Sequence, residues 1–248
     1  MQTWQKILLP TAAVVLAAGV YVFIIHEQRK DPGVAARPAE VDKPLSGDDL
    51  AYVKKNLFAT FDQAKALEGT SVWIKAGYAL PYYPYAGGTV EFAKRAGVLP
   101  AAEKLNVSKL VKAVAPAKED DRVPHGSRQY FIVFTLSGPD AKPGTFASPI
   151  GYQQGPEEGI VADQLFYYDD PKTIYTDWPK PVWDAVAAHT PTVGMSENQA
   201  RMAAGIMIDS DSTSEGNRTV TYDEGAKKWT VTFSNNKATA VKPGSQRN

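Results

Sequence analysis

The chain has 248 residues, 27 Lys and Arg against 27 Asp and Glu, and no cysteine. Balanced charge removes the long-range attraction behind sequence-blind nucleic-acid binding, so no nucleic acid is expected as a partner. The missing cysteine excludes disulfides, thiolate nucleophiles, Cys-ligated metal sites and an N-terminal lipid-modified Cys.

Residues 1–6 read as a short N-terminal tail. The run from Ile7 to Ile25 then carries no charge. As a helix, about 19 residues span roughly 28 Å, close to the thickness of a bilayer's hydrocarbon core. Pro10 falls in the first turn, where it is tolerated. The run continues through Tyr21-Val-Phe-Ile-Ile, past the usual length of a signal-peptide core, so it reads as an uncleaved transmembrane anchor. A cleaved signal peptide and a buried soluble helix are the alternatives. Arg29, Lys30, Arg37 and Lys43 after the run favour a cytoplasmic C-terminal side by plain count. A short tail with one Lys favours export.

Residues 26–45, rich in Pro, Ala and charge, read as a linker. Residues 46–68 read as a helix capped by Ser46, with Leu50, Val53, Leu57 and Phe61 on one face. Residues 69–176 read as β-rich. Short strands bounded by Gly and Pro suggest a small barrel or sandwich, and Arg128-Gln-Tyr-Phe-Ile-Val-Phe-Thr-Leu is the clearest of them. In residues 177–242, a helix from Trp178 to His189 starts on Asp177. A second is capped by Ser196, with Gln199 completing a capping box. Arg218-Thr-Val-Thr-Tyr and Lys228-Trp-Thr-Val-Thr-Phe then alternate as a hairpin, with Val220, Tyr222, Trp229, Val231 and Phe233 on one face. Asn235-Asn236 turns into a third strand, and residues 243–248 read as a disordered tail. The fold class expected is therefore α+β: an N-terminal transmembrane helix, a small barrel-like β-rich domain and a C-terminal αα-βββ unit.

The string Gly194-Met-Ser-Glu-Asn-Gln-Ala-Arg-Met-Ala-Ala-Gly205 resembles the opening of the BamE (SmpA/OmlA-like) family. Residues 231–241 are similar to the end of its strands. The resemblance covers about 65 residues, from 178 onward, roughly a quarter of the chain. It implies two helices on a three-stranded antiparallel sheet, an envelope location and an accessory or interaction role. The chain departs from the family in lacking its lipid-anchored Cys and in having Gly205-Ile-Met where a Gly-x-Pro is usual. Residues 69–168 faintly resemble a bacterial Src-homology-3-like barrel.

Catalytic motifs are sparse. No G-x-S-x-G, H-E-x-x-H, G-x-G-x-x-G or phosphate-loop string occurs. No catalytic residue, metal site or cofactor is therefore expected. Asp209-Ser-Asp-Ser-Thr213 starts like a calcium loop but lacks the Gly and Glu at the required spacing, and reads as an acidic surface loop. His26 reads as interfacial, His125 as a solvated loop residue and His189 as a helix cap. The aromatics are the better lead: Trp73, Tyr82, Tyr83, Tyr85, Tyr167 and Tyr168 are the candidate partner-binding residues, because Tyr and Trp combine contact area with a polar handle. Core packing is the competing role for each.

The expected function is a single-pass inner-membrane protein with its C-terminal domains in the periplasm. It would act as a non-enzymatic interaction or assembly module, with the membrane and an envelope protein or cell-wall polymer as partners. The alternatives are an anchored hydrolase using His125 or His189 beside a carboxylate, and a ligand-binding protein using Tyr82 to Tyr85.

Overall fold

A computed structural model describes residues 21, 47–116, 128–137, 141–223 and 227–244. The chain divides into two units, Met1–Leu45 and Ser46–Asn248. In the first, Tyr21 is helical and exposed, and the rest of the run from Ile7 to Ile25 lies outside the described residues, as do Ser46, His26 and His125.

The expected fold class is corrected by the second unit. Its strands dominate: 41% of described residues are in strands and 21% are helical. Among the described residues no helix is long and apolar enough to cross a membrane. In place of a small barrel there is a nine-stranded antiparallel sheet, in the order β3-β2-β7-β6-β5-β1-β9 with β4 and β8 attached to β2 and β7. These strands are β1 (Ser71–Ile74), β2 (Leu80–Ala86), β3 (Thr89–Val90), β4 (Gly97–Leu99), β5 (Lys104–Ala113), β6 (Arg128–Leu136), β7 (Phe146–Gln154), β8 (Glu157–Ile160) and β9 (Phe166–Tyr167). The central strand β6 explains the difference from a small barrel. It is buried from Gln129 to Phe134 without alternation, so both of its faces are covered. Tyr130, Ile132 and Phe134 face the main core with Ile74, Leu105, Ile150 and Phe166. Phe131 and Val133 face a second, smaller cluster closed by Tyr85, Val90 and Phe92. The β2–β3 hairpin and the turn after it thus lid the face that a barrel would leave in water.

The helix expected over 46–68 is also corrected. Two four-residue α-helices remain, α1 (Gly47–Leu50) and α2 (Phe61–Ala64), the second continued by a 3-10 turn over Lys65–Leu67, and residues 51–59 are not helical. Leu50 and Leu57 are exposed rather than on a shared buried face. Leu57 has φ +53°, a left-handed value that no right-handed helix accommodates. Tertiary bonds hold this strap. Asp163 accepts the Asn56 and Leu57 N–H groups at 2.9 and 2.8 Å, and Asp48 accepts Trp178 Nε1 at 2.6 Å and Ser196 Oγ at 2.9 Å. Those contacts outweigh a weak four-residue periodicity.

Beyond β8 come α3 (Ala162–Leu165) and, after β9, α4 (Pro171–Ile174), α5 (Lys180–Ala187) and α6 (Glu197–Ala204). Pro179, not Asp177, is the residue at the start of α5. The capping box at α6 is complete, with Gln199 N–H donating to Ser196 and the Gln199 side chain accepting the Ser196 N–H. The last sheet has four strands rather than three, in the order β10-β11-β12-β13: β10 (Ile206–Ser210), β11 (Thr219–Asp223), β12 (Lys228–Ser234) and β13 (Lys237–Pro243). The additional strand is an edge strand whose Met207 and Ile208 are half exposed, so it shows no apolar alternation in sequence. The β11–β12 hairpin pairs Val220 with Val231 and Tyr222 with Trp229. Its buried face meets Ala200, Met202, Ala203 and Ala204 of α6. Asn235 and Asn236, both at positive φ, make the tight β12–β13 turn. The Asn236 side chain then accepts the Glu197 N–H at 3.1 Å, tying that turn to the start of α6.

Candidate functional site

A cleft of about 570 Å³ lies where β1, β2 and the β4–β5 turn approach α4 and α5. That volume is within the range of small-molecule sites. Each wall places an aromatic ring with a lysine over it. On β1, Trp73 is paired in register with Lys104 of β5, and the ammonium lies 5.4 Å from the indole centroid. On β2, Tyr82 lies under Lys142 at 5.6 Å, while the same ammonium donates to the Ala96 carbonyl at 2.8 Å. On α5, Trp183 lies under Lys172 of α4 at 6.0 Å. Such contacts are attractive but leave the ammonium able to take an anion. Among the described residues, none of these three lysines forms an ion pair.

The rings are held from behind. Trp183 packs on Trp178 with centroids 5.0 Å apart, Trp178 stacks on Tyr175 at 4.5 Å, and Tyr175 meets Tyr167 edge-on at 6.2 Å. The Tyr167 and Tyr175 hydroxyls are 3.2 Å apart, and burial pushes the Tyr167 phenol well above its ordinary range. This ladder and the Trp178–Asp48 bond give Trp183 a rigid backing.

The floor is the turn between β4 and β5. Ala102, at φ +61°, donates its N–H to the Ile74 carbonyl at 2.8 Å, and Ile74 N–H donates to the Glu103 carbonyl at 3.0 Å. The turn is thereby stitched to β1, with Glu103 on the cleft wall. Burial raises the Glu103 carboxyl above the usual range, and the charge of His189 opposes that shift. His189 follows α5 in a left-handed conformation, φ +50°, with its N–H donating to Val186 O at 3.1 Å. Glycine usually takes this position after a helix. The C-cap of α5 is Ala188, and the His189 side chain contributes to the cleft wall.

Of the candidate partner-binding residues, Trp73 and Tyr82 line this cleft. The other four do not. Tyr83 points to the opposite face of β2, 1% exposed and edge-on to Phe92 at 5.3 Å. Tyr85 covers the smaller core cluster, with Lys109 4.8 Å above its ring. Tyr167 is buried in the ladder behind the cleft. Tyr168 donates its hydroxyl to Asp163 at 2.7 Å and meets Phe58 edge-on. Sequence reasoning missed Lys104, Lys142, Lys172 and Glu103, and treated Trp183 and His189 as core and cap. No local pattern links lysines so far apart, because the strand register and the α4–α5 packing bring them together.

The acidic stretch expected as a loop from Asp209 begins inside β10, and its carboxylates bond backbone N–H groups of β10 and β11. Asp209 accepts the Ser210 N–H at 2.8 Å and Asp211 the Thr219 N–H at 2.8 Å. Among the described residues, no group of three or more His, Asp or Glu side chains is placed to hold a metal ion. Glu158 accepts the Phe61 N–H at 2.6 Å, and Asp170 caps α4 by accepting the Lys172 N–H at 2.9 Å. Both carboxylates therefore have structural partners.

Set against known families, characterised proteins and solved structures, the chain has no match in any of the three.

Proposed function

We propose that this chain is a non-enzymatic binding module of the bacterial envelope, attached to the inner membrane through the run from Ile7 to Ile25 and acting on the periplasmic side. The observation that carries the binding role is the cleft with Trp73, Tyr82 and Trp183 on three separate walls. Large rigid rings with polar neighbours on a preorganised frame suit recognition. The membrane and envelope parts rest on the uncharged run and on the BamE-like string from 194 to 205.

Site-specific photo-crosslinking in intact cells tests this. A crosslinker at Ala102 or Ala187, in the cleft, is expected to capture an envelope component. One at Thr239, exposed on the far sheet, is not. Capture is expected to fall when Trp73 and Trp183 are replaced by Ala. Equal capture from both positions, unaffected by those replacements, would rule the cleft out. A reporter fused after Asn248 that is active only in the cytoplasm would rule out the periplasmic placement.

One observation favours a second reading, an anchored hydrolase. Glu103 and His189 line the same cleft and interact electrostatically, and the Glu103 carboxyl is shifted toward its protonated form. Turnover of cell-wall fragments that disappears in Glu103→Gln while their binding persists would establish that reading over the first.

A further inference from the structure

We infer that the cleft takes a carboxylated sugar unit of an acidic polysaccharide. This rests on the cleft being the binding surface, as proposed above, and adds the chemistry of what it holds. Three features converge. The first is the rings of Trp73 and Trp183, which are only partly buried and present apolar surface to a pyranose ring, while Tyr82, 5% exposed, lies deeper in the wall. A hexose stacks its axial C–H groups on such faces.

The second is charge. Lys104, Lys142 and Lys172 each sit beside one of those rings, 5.4 to 6.0 Å from its centroid, with no carboxylate partner among the described residues. A partly exposed ring with its own ammonium, at Trp73 with Lys104 and at Trp183 with Lys172, matches a ligand that carries its anion on its ring. It matches less well an isolated anion or a neutral sugar. Two acids, Glu103 and Asp170, share the walls, and the three lysines still leave the cleft with a net positive charge.

The third is hydroxyl capacity. Ser137, whose oxygen accepts from the Asn106 amide, keeps an O–H to donate, and Glu103 can accept from a sugar hydroxyl, which an aromatic or aliphatic acid would leave unused. A cleft of about 570 Å³ holds one or two hexose units, so a longer chain would run out of it at its ends.

The test is a titration of the full chain in detergent, followed by tryptophan fluorescence and calorimetry. The probes are trigalacturonate and its fully methyl-esterified form, which keeps the rings and removes the charge. Trigalacturonate is expected to bind, with the ester about tenfold or more weaker. Lys104→Gln with Lys172→Gln is expected to weaken the acid by a similar factor and to leave the ester unchanged, with circular dichroism confirming the fold. Equal binding of acid and ester would overturn the charge-based assignment while leaving the cleft as a binding surface. Binding of neither probe, with cleft crosslinking intact, would overturn the sugar assignment alone. Binding of the acid unaffected by the lysine changes and by Trp183→Ala would place the site elsewhere and overturn both.

Discussion

The nine-stranded sheet and the C-terminal four-stranded sheet solve the same problem by different means. The large sheet buries aromatic and branched side chains on both faces of β6, and its interior is almost wholly apolar: Ser148 donates to the Pro81 carbonyl, and Gln129 is the other buried polar side chain of this sheet. The small sheet meets an alanine-rich face of α6, which lets the helix approach closely but contributes little area per residue. Its geometry is set by a polar latch. Glu197, 1% exposed, accepts Arg218 Nε at 3.0 Å, Arg218 Nη2, and the Gly216 N–H at 2.7 Å. Gly216 suits this site: it has φ +78°, and a Cβ there would come within 3.1 Å of Asn236 Cα. The small layer buries rings such as Tyr222 and Phe233 as well, but it fixes helix against hairpin with a buried charge and its hydrogen bonds, where the larger layer relies on volume.

The contrast is broken most severely in the large sheet. Phe134 is fully buried, with ring neighbours Tyr82 and Phe146 at 6.4 and 6.3 Å. Phe134→Ala is expected to cost about 3–5 kcal/mol in urea unfolding, the lost transfer energy plus the cavity. It also removes support from Tyr82, so ligand affinity at the cleft is expected to fall with it. A cost under about 1 kcal/mol would mean that this core is not packed as described.

The latch is tested by a change that conserves shape. Glu197→Gln keeps volume but replaces one acceptor oxygen with a donor, facing either the Gly216 N–H or the Arg218 guanidinium. The expected cost is roughly 1.5–3 kcal/mol, the scale of hydrogen bonds to a charged group. Its signature should be local: amide exchange accelerates in β11, β12 and α6 first, while β5–β7 stay protected. Uniform acceleration through both sheets would show that the two layers do not differ in the way proposed.

These two regions were unequally legible. The capping box, the β11–β12 register and the Asn-Asn turn were readable because each rests on residues within a few positions of one another. β10 was not, since half-exposed Met207 and Ile208 show no alternation. The double-sided burial of β6 is a tertiary fact, made by the β2–β3 hairpin covering Phe131 and Val133, and a continuous apolar strand alone does not say what covers it. The strap at 51–59 misled because Leu50, Val53, Leu57 and Phe61 have helical spacing, while the deciding acceptor, Asp163, is more than a hundred residues away. The cleft followed the same division. Trp73 and Tyr82 stood out by type, whereas the lysines and Glu103 acquire meaning only through register and packing.

The strap links the two regions, and its hold on the large sheet is the smallest effect expected. Burial alone would raise the Asp163 carboxyl, but the Asn56 N–H, the Tyr168 hydroxyl and the Leu57 N–H all donate to it and leave it below the ordinary carboxylate value. Its folded pKa is therefore lower than its unfolded one, which is about 3.9. The stability it contributes is fully present above that unfolded value and is lost as pH falls through the lower folded value. Asp163→Asn leaves one acceptor oxygen for three donors and sets an amide N–H against one of them. A cost of about 1–2 kcal/mol is expected at pH 7. Urea unfolding of both proteins from pH 7 downward should show the gap constant to about pH 4 and narrowing below it, as protonation costs the unmodified protein the same bonds. Two curves that stay parallel through the acid range would mean that Asp163 holds the strap through shape and not through its charge.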